Sequence, residues 1–191
     1  MRFANREWIM SILTTERFIP YIITPEMRAA AKIDSDSYKD KLNNSIREGK
    51  GTLVGSLGEE IFAKVYPHAE RINNYDYDFL LYGGTDRELT VDVKTKERTV
   101  PPRLHYECSV NTMNGKQKCD WYVFAQVLKG YKQGWLLGGV KALDYFEHST
   151  YHLKGEIDAS NGFAFRCNSY NMPISQLSPM RNRTPRKGDS Q

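Results

Sequence analysis

Two aspartates and a lysine, Asp78, Asp92 and Lys94, carry the strongest chemical signal in the sequence. In the run Leu89-Thr90-Val91-Asp92-Val93-Lys94-Thr95, the alternation of a β-strand sends Asp92 and Lys94 to one face and Val91 and Val93 to the other. The strand can thus bury its valines and still present an acid and a base to a cleft. Asp78 ends the segment Tyr75-Asp76-Tyr77-Asp78, and Gly83-Gly84-Thr85-Asp86 reads as a hairpin turn that returns this segment beside Asp92. Two carboxylates and an ammonium then converge. Hard oxygen ligands of this kind suit Mg²⁺ or Mn²⁺, which polarises a phosphoryl oxygen and lowers the pKa of a bound water. A lysine at the same spot orients or deprotonates that water, or neutralises charge developing on a phosphate. The same three residue types also make an ordinary cross-strand salt bridge worth little. What the neighbouring elements contribute has to separate the two readings.

Those elements fall into a helical first third and a β-rich remainder. Thr24 reads as an N-cap with Pro25 at the first helical position, leading into a helix through Lys32. A second helix is predicted from about Asp36 to Ile46, and a third from about Leu53 to Val65, with Leu57, Ile61 and Val65 on one face and Pro67 beyond its end. Strands are predicted at Tyr77 to Leu81 and Glu88 to Thr95. Trp121 to Leu128, aromatic and β-branched, should be a central strand covered on both faces, with Trp135 to Val140 as its neighbour. A short helix at Lys141 to Glu147, a last strand at Gly162 to Arg166 and a turn near Pro173 to Leu177 complete the reading. The fold class expected is α/β, a mixed sheet flanked by helices.

Composition narrows the classes of function. The 191 residues, 40% hydrophobic and 26% charged, match a globular domain. No apolar run approaches the ~18 residues of a membrane span. The first residues, with Glu7 and Trp8, lack the apolar core of a secretory signal, so a cytoplasmic location is expected. Three cysteines, Cys108, Cys119 and Cys167, read as reduced thiols, and with one nearby histidine, His105, and no C-x-x-C pair they make a poor zinc site. Of the net charge of +4, the tail from Arg181 to Gln191 carries +3, four basic residues against Asp189. No phosphate-binding G-x-x-x-x-G-K-[ST] loop or G-x-G-x-x-G fingerprint occurs, which excludes nucleotide-triphosphate motors and Rossmann dehydrogenases.

The helix Gly55-Ser56-Leu57-Gly58-Glu59-Glu60-Ile61-Phe62-Ala63-Lys64 adds a pair of acids upstream of Asp78. With it, the sequence resembles the PD-(D/E)XK nuclease superfamily, and most of all small phage-type nucleases, in which a Gly-Glu-x-x-x-Ala-Lys helix precedes a Tyr-Asp-Phe strand and an Asp-Val-Lys-Thr-Lys strand. The resemblance spans Gly51 to Lys96 most closely. It implies a restriction-endonuclease-like fold and hydrolysis of phosphodiester bonds in DNA with Mg²⁺ or Mn²⁺. By the motif, Glu59, Asp78 and Asp92 hold the metal, the Val93 carbonyl adds a ligand, and Lys94 assists the nucleophile. No Pro precedes Asp78, which departs from the motif's name. Glu60 and Asp76 are the rivals of Glu59 and Asp78. Helical periodicity measured from Leu57 and Ile61 favours Glu60, whereas the motif favours Glu59, provided that Gly55 and Gly58 let the helix start pack closely on the sheet.

Lys96, on the face of Lys94, and Lys116 and Lys118, in the polar segment with Asn111, Asn114 and Gln117, are candidates for DNA contact. Gln126, on the central strand, reads as a satisfied core amide. The domain reading is an N-terminal helical segment over 1–50 packed on a nuclease core over 51–180, followed by a basic tail over 181–191. A phage-type nuclease would work in the cytoplasm of a bacterial host, as a monomer or a homodimer. The alternative, from a different class, is a silent nucleic-acid-binding or assembly protein on the same scaffold.

Overall fold

The computed structural model describes residues 17–38, 52–112, 117–158 and 162–180. Lys116, Asn114, the basic tail and most of the helix predicted to reach Ile46 lie outside them. The described chain is a mixed α/β structure. Its order is β1 (Ile19–Ile22), α1 (Pro25–Tyr38), α2 (Thr52–Val65), β2 (Glu70–Arg71), β3 (Phe79–Leu81), β4 (Leu89–Arg98) and β5 (Glu107–Asn111), followed by β6 (Trp121–Leu128), β7 (Gln133–Lys141), α3 (Ala142–His148), β8 (Thr150–His152) and β9 (Ser169–Pro173). A 3₁₀ turn at Ile174–Gln176 follows β9.

Six strands form the main sheet in the order β1-β7-β6-β4-β3-β2. Only β4 and β6 run parallel; the other neighbours are antiparallel. β6 lies between β4 and β7, and Tyr122 through Val127 are buried because both faces of the sheet are covered. On one face α1 and α2 pack, with Met27, Ala31, Leu57, Ile61 and Phe62 set against Val91, Val93, Val123, Ala125 and Val127. Each Val, Leu, Ile, Phe or Met side chain among them, taken fully out of water, contributes roughly 1.5–3 kcal/mol. Thr24 Oγ1 accepts the Met27 amide at 3.3 Å, the N-cap its position implied. α1 continues from Pro25 through Tyr38 as one helix, so the break expected between Lys32 and Asp36 is absent.

The opposite face departs from the expected flanking helices. It is covered by a second sheet of three strands, β5-β9-β8, together with α3. Tyr122, Phe124, Trp135 and Leu137 pack there against Cys108, Val110, Tyr145 and Met172. Tyr145 Oη lies 2.7 Å from the Tyr170 carbonyl and 3.0 Å from that of Cys108, tying α3 to both β9 and β5. The strand expected at Gly162 to Arg166 is reduced to one bridge between Ile157 and Ala164, and the last strand is β9. Its residues alternate less clearly in polarity, since Ser169 and Asn171 are buried and hydrogen-bonded inside it.

One close approach fixes the helix on the sheet. A Cβ at Gly58 of α2 would collide with Thr95 Oγ1 of β4, whereas a Cβ at Gly55 would meet nothing within 4 Å. Gly58 alone therefore lets α2 touch the strand that carries Asp92 and Lys94.

Candidate active site

The β3–β4 hairpin places Asp78 beside β4. Phe79 pairs with Val91, the Asp78 amide donates to the Val91 carbonyl at 3.0 Å, and Asp78 Oδ2 accepts the Val93 amide at 2.7 Å. Asp92 is 2% exposed, and Lys94 Nζ lies 2.6 Å from its Oδ2, over the ring of Tyr122 at 5.9 Å. Strand alternation accounts for this pair, because Val93 points to the helical core while Asp92 and Lys94 share the other face. The Val93 group tied to the site is its amide, which binds Asp78.

Asp76 has a different task from Asp78. Its Oδ1 accepts the Lys118 amide at 3.2 Å, and Asn74 Oδ1 accepts the amides of Asp76 and Tyr77, both at 2.8 Å. This is an Asx turn braced by a carboxylate, and it sets the loop that delivers Asp78.

From α2, Glu59 and Glu60 both face Arg71 of β2. Arg71 Nη1 lies 3.1 Å from Glu59 Oε2 and Nη2 lies 2.8 Å from Glu60 Oε1, so one guanidinium forks between neighbouring acids. Electrostatics separates them. Burial, then the negative charges of Asp78, Asp34 and Asp92, push the Glu59 carboxyl up to about 8, against the pull of Arg71. Burial and the charge of Asp92 likewise push Asp78 up to about 7, opposed by the Val93 amide, Lys94 and Arg71. Glu59, Asp78 and Asp92 thus share one poorly solvated field.

Three participants were not read as site residues from the sequence. Gln117, noted only within a polar segment, accepts from Lys94 Nζ at 2.9 Å through Oε1. Its Nε2 donates to the Tyr75 carbonyl at 2.9 Å and, at 3.4 Å, to Asp92 Oδ1. Arg71 neutralises the helix acids, and Asp34 of α1, which accepts from Ser56 Oγ at 2.7 Å, adds a further negative charge beside Glu59. No local pattern marks them; each comes from a different element. The other candidates lie at the margin. Lys96 is exposed and donates to Ser109 Oγ at 3.3 Å, and Lys118 is exposed beside Asp76. Gln126 is fully buried, but only its Nε2 is satisfied, by the Val100 carbonyl at 2.7 Å, while its Oε1 has no partner among the described residues. Burial pushes the thiols of Cys108 and Cys119 up to about 12, and no described cysteine is in a disulfide.

Whether this donor set fits a divalent cation can be judged from the charges. Among the described residues no three carboxylate, imidazole or thiol groups stand at coordination spacing. Lys94 and Arg71 offset part of the carboxylate charge. Asp92 Oδ2 meets Lys94 Nζ at 2.6 Å and is buried with no further partner among the described residues. Buried carboxyls raised at Glu59 and Asp78, beside the buried Asp92, are oxygen donors of the kind that Mg²⁺ or Mn²⁺ takes. The donor set fits.

No known family model and no curated protein gives a significant match to the chain. Its function has to be argued from the site.

Proposed function

We propose that the protein is a restriction-endonuclease-like, metal-dependent nuclease that hydrolyses phosphodiester bonds in DNA. The observation that carries this reading is the convergence of Asp78 and Lys94 on the buried Asp92 along β4, with Glu59 brought into the same field from α2. An ordinary surface salt bridge would need neither the burial nor the extra carboxylates.

Asp78 and Asp92, with Glu59 behind them, would hold Mg²⁺ or Mn²⁺. The cation supplies Lewis acidity toward the phosphoryl oxygen and eases deprotonation of water. Asp78 is held in place by the Val93 amide, so its carboxylate is aimed before substrate arrives. Lys94 Nζ has three donor hydrogens, and its contacts with Asp92 and Gln117 leave the remaining one to face a phosphate oxygen or the attacking water. Gln117 holds Lys94 by its carbonyl and the Tyr75 loop by its amide, a positioning role. Arg71 keeps the helix acids from repelling a polyanion outright.

The test is digestion of a panel of single-stranded, duplex, nicked and four-way-junction DNA by the full chain. Cleavage in Mg²⁺ or Mn²⁺ and none in EDTA is the expected result. DNA retained by the protein but intact in both metals would replace the nuclease with the silent binding protein.

A further inference from the structure

Beyond the acids and the lysine, the loop from Asn73 to Asp78 has a feature that hydrolysis does not use. Tyr75 at its tip is 67% exposed, although its backbone is tightly fixed. The amides of Ile72 and Asn73 donate to the Asp78 carbonyl at 2.8 and 3.1 Å, and that of Asn74 to the Tyr77 carbonyl at 3.1 Å. The Asn74 side chain holds the next turn. The Tyr75 carbonyl is bound by Gln117 Nε2, and the other end of that same amide holds Lys94. A single amide group therefore separates the Tyr75 backbone from the Lys94 ammonium. Lys118, an exposed cation, is joined to the loop through Asp76.

Exposed tyrosines are common, and most need no explanation. This one differs in being presented on a braced loop that shares the Gln117 amide with Lys94, and the loop's Asp76 accepts the backbone amide of the exposed Lys118. An aromatic face beside a basic side chain is how proteins hold unpaired bases: the ring stacks on a base of any sequence, and the cation meets the neighbouring phosphate. A duplex offers no free base face at that point, because its bases are already stacked on each other.

We propose that Tyr75 is a stacking platform for an unpaired base next to the scissile phosphate, with Lys118 on the adjoining phosphate, so that the preferred substrate is DNA with single-stranded character at the cut. This rests on the nuclease reading and deepens it by naming the substrate class. Bracing matters because a loop ordered in advance loses no conformational entropy when the base arrives.

The experiment measures affinity of the full chain, in Mg²⁺, for one fluorescent oligonucleotide with a cleavage-resistant phosphorothioate backbone, as a single strand and as a blunt duplex. Tyr75→Ala, Tyr75→Phe and Lys118→Ala are compared with that parent chain, with thermal midpoints read alongside. Tyr75→Ala should weaken single-strand binding ~5- to 100-fold and duplex binding less than about 2-fold. Tyr75→Phe should restore the single-strand affinity, because a ring suffices. The proposal is overturned by unchanged single-strand binding in Tyr75→Ala, by equal loss on both substrates, by Tyr75→Phe behaving as Tyr75→Ala, or by a parent that holds no single strand. These outcomes are independent of turnover by the unmutated chain: cleavage with no Tyr75 effect sinks the platform alone, and a Tyr75 effect without cleavage sinks the nuclease reading alone.

Discussion

Asp78 Oδ2 and the Val93 amide are joined by a 2.7 Å hydrogen bond, which locks the first acid of the site to the residue between Asp92 and Lys94. The bond extends the β3–β4 hairpin by one side chain. It also fixes the spacing of the two carboxylates by backbone geometry, which is why their separation does not depend on a metal to organise it.

Metal affinity should depend on Asp92 and not on Asp76. Calorimetric titration with Mn²⁺ is expected to show binding that falls at least ~10-fold in Asp92→Asn and hardly changes in Asp76→Asn, whose carboxylate braces the Lys118 amide. Equal binding by Asp92→Asn would remove it from the site.

Lys94→Ala should both slow cleavage and destabilise the metal-free chain. A positioned proton-transfer or charge-stabilising group is worth ~10²-fold or more in rate. Because Asp92 is buried against this lysine, its removal leaves an uncompensated charge costing about 3 kcal/mol. Added Mg²⁺ should recover most of the thermal midpoint and none of the rate. A variant that keeps its activity would mean that the lysine is only half of a structural ion pair.

The two helix acids share the fork at Arg71 and are separated by the charge field. Glu59→Gln should lose activity, since Glu59 shares the field of Asp78 and Asp92, while Glu60→Gln should lose only an ion pair and keep most of its rate. Cleavage assays on the same DNA decide it, and the reverse pattern would make Glu60 the helix acid.

Stability without metal should fall as pH rises. Glu59 and Asp78 have carboxyls raised from 4.5 to about 8 and from 3.8 to about 7 by burial and mutual repulsion. Between those ordinary and raised values the folded chain binds more protons than the unfolded one, so unfolding free energy declines from about pH 4 to about pH 8. Thermal melts in EDTA across this window should show the decline, and Mg²⁺ should flatten its upper part. A level profile in EDTA would show that the two carboxyls titrate as exposed groups do.

Much of this site was legible because it is written in local patterns. Strand alternation put Asp92 and Lys94 together and Val91 and Val93 away from them, and the Gly83-Gly84 turn returned Asp78 to their side. Both effects act between residues close in sequence, so composition and period expose them. The capped start of α1 and the central, doubly covered β6 were readable for the same reason.

Only the tertiary structure decided what meets the cleft from a distance. Periodicity from Leu57 and Ile61 pointed to Glu60, and it could not register that Gly58 rests on Thr95 or that Arg71 forks between both acids. Gln117 reaches Lys94 from a polar segment, and Asp34 stands beside Glu59 from another helix. In the second sheet β9 buries Ser169 and Asn171, whose hydrogen bonds replace the alternation that marks a strand, whereas β5 does alternate and is absent from the sequence reading all the same. Backbone period is set by neighbours in sequence, but the charge field of a buried cleft is set by which elements pack together, and burial is what turns three scattered carboxylates into one interacting group.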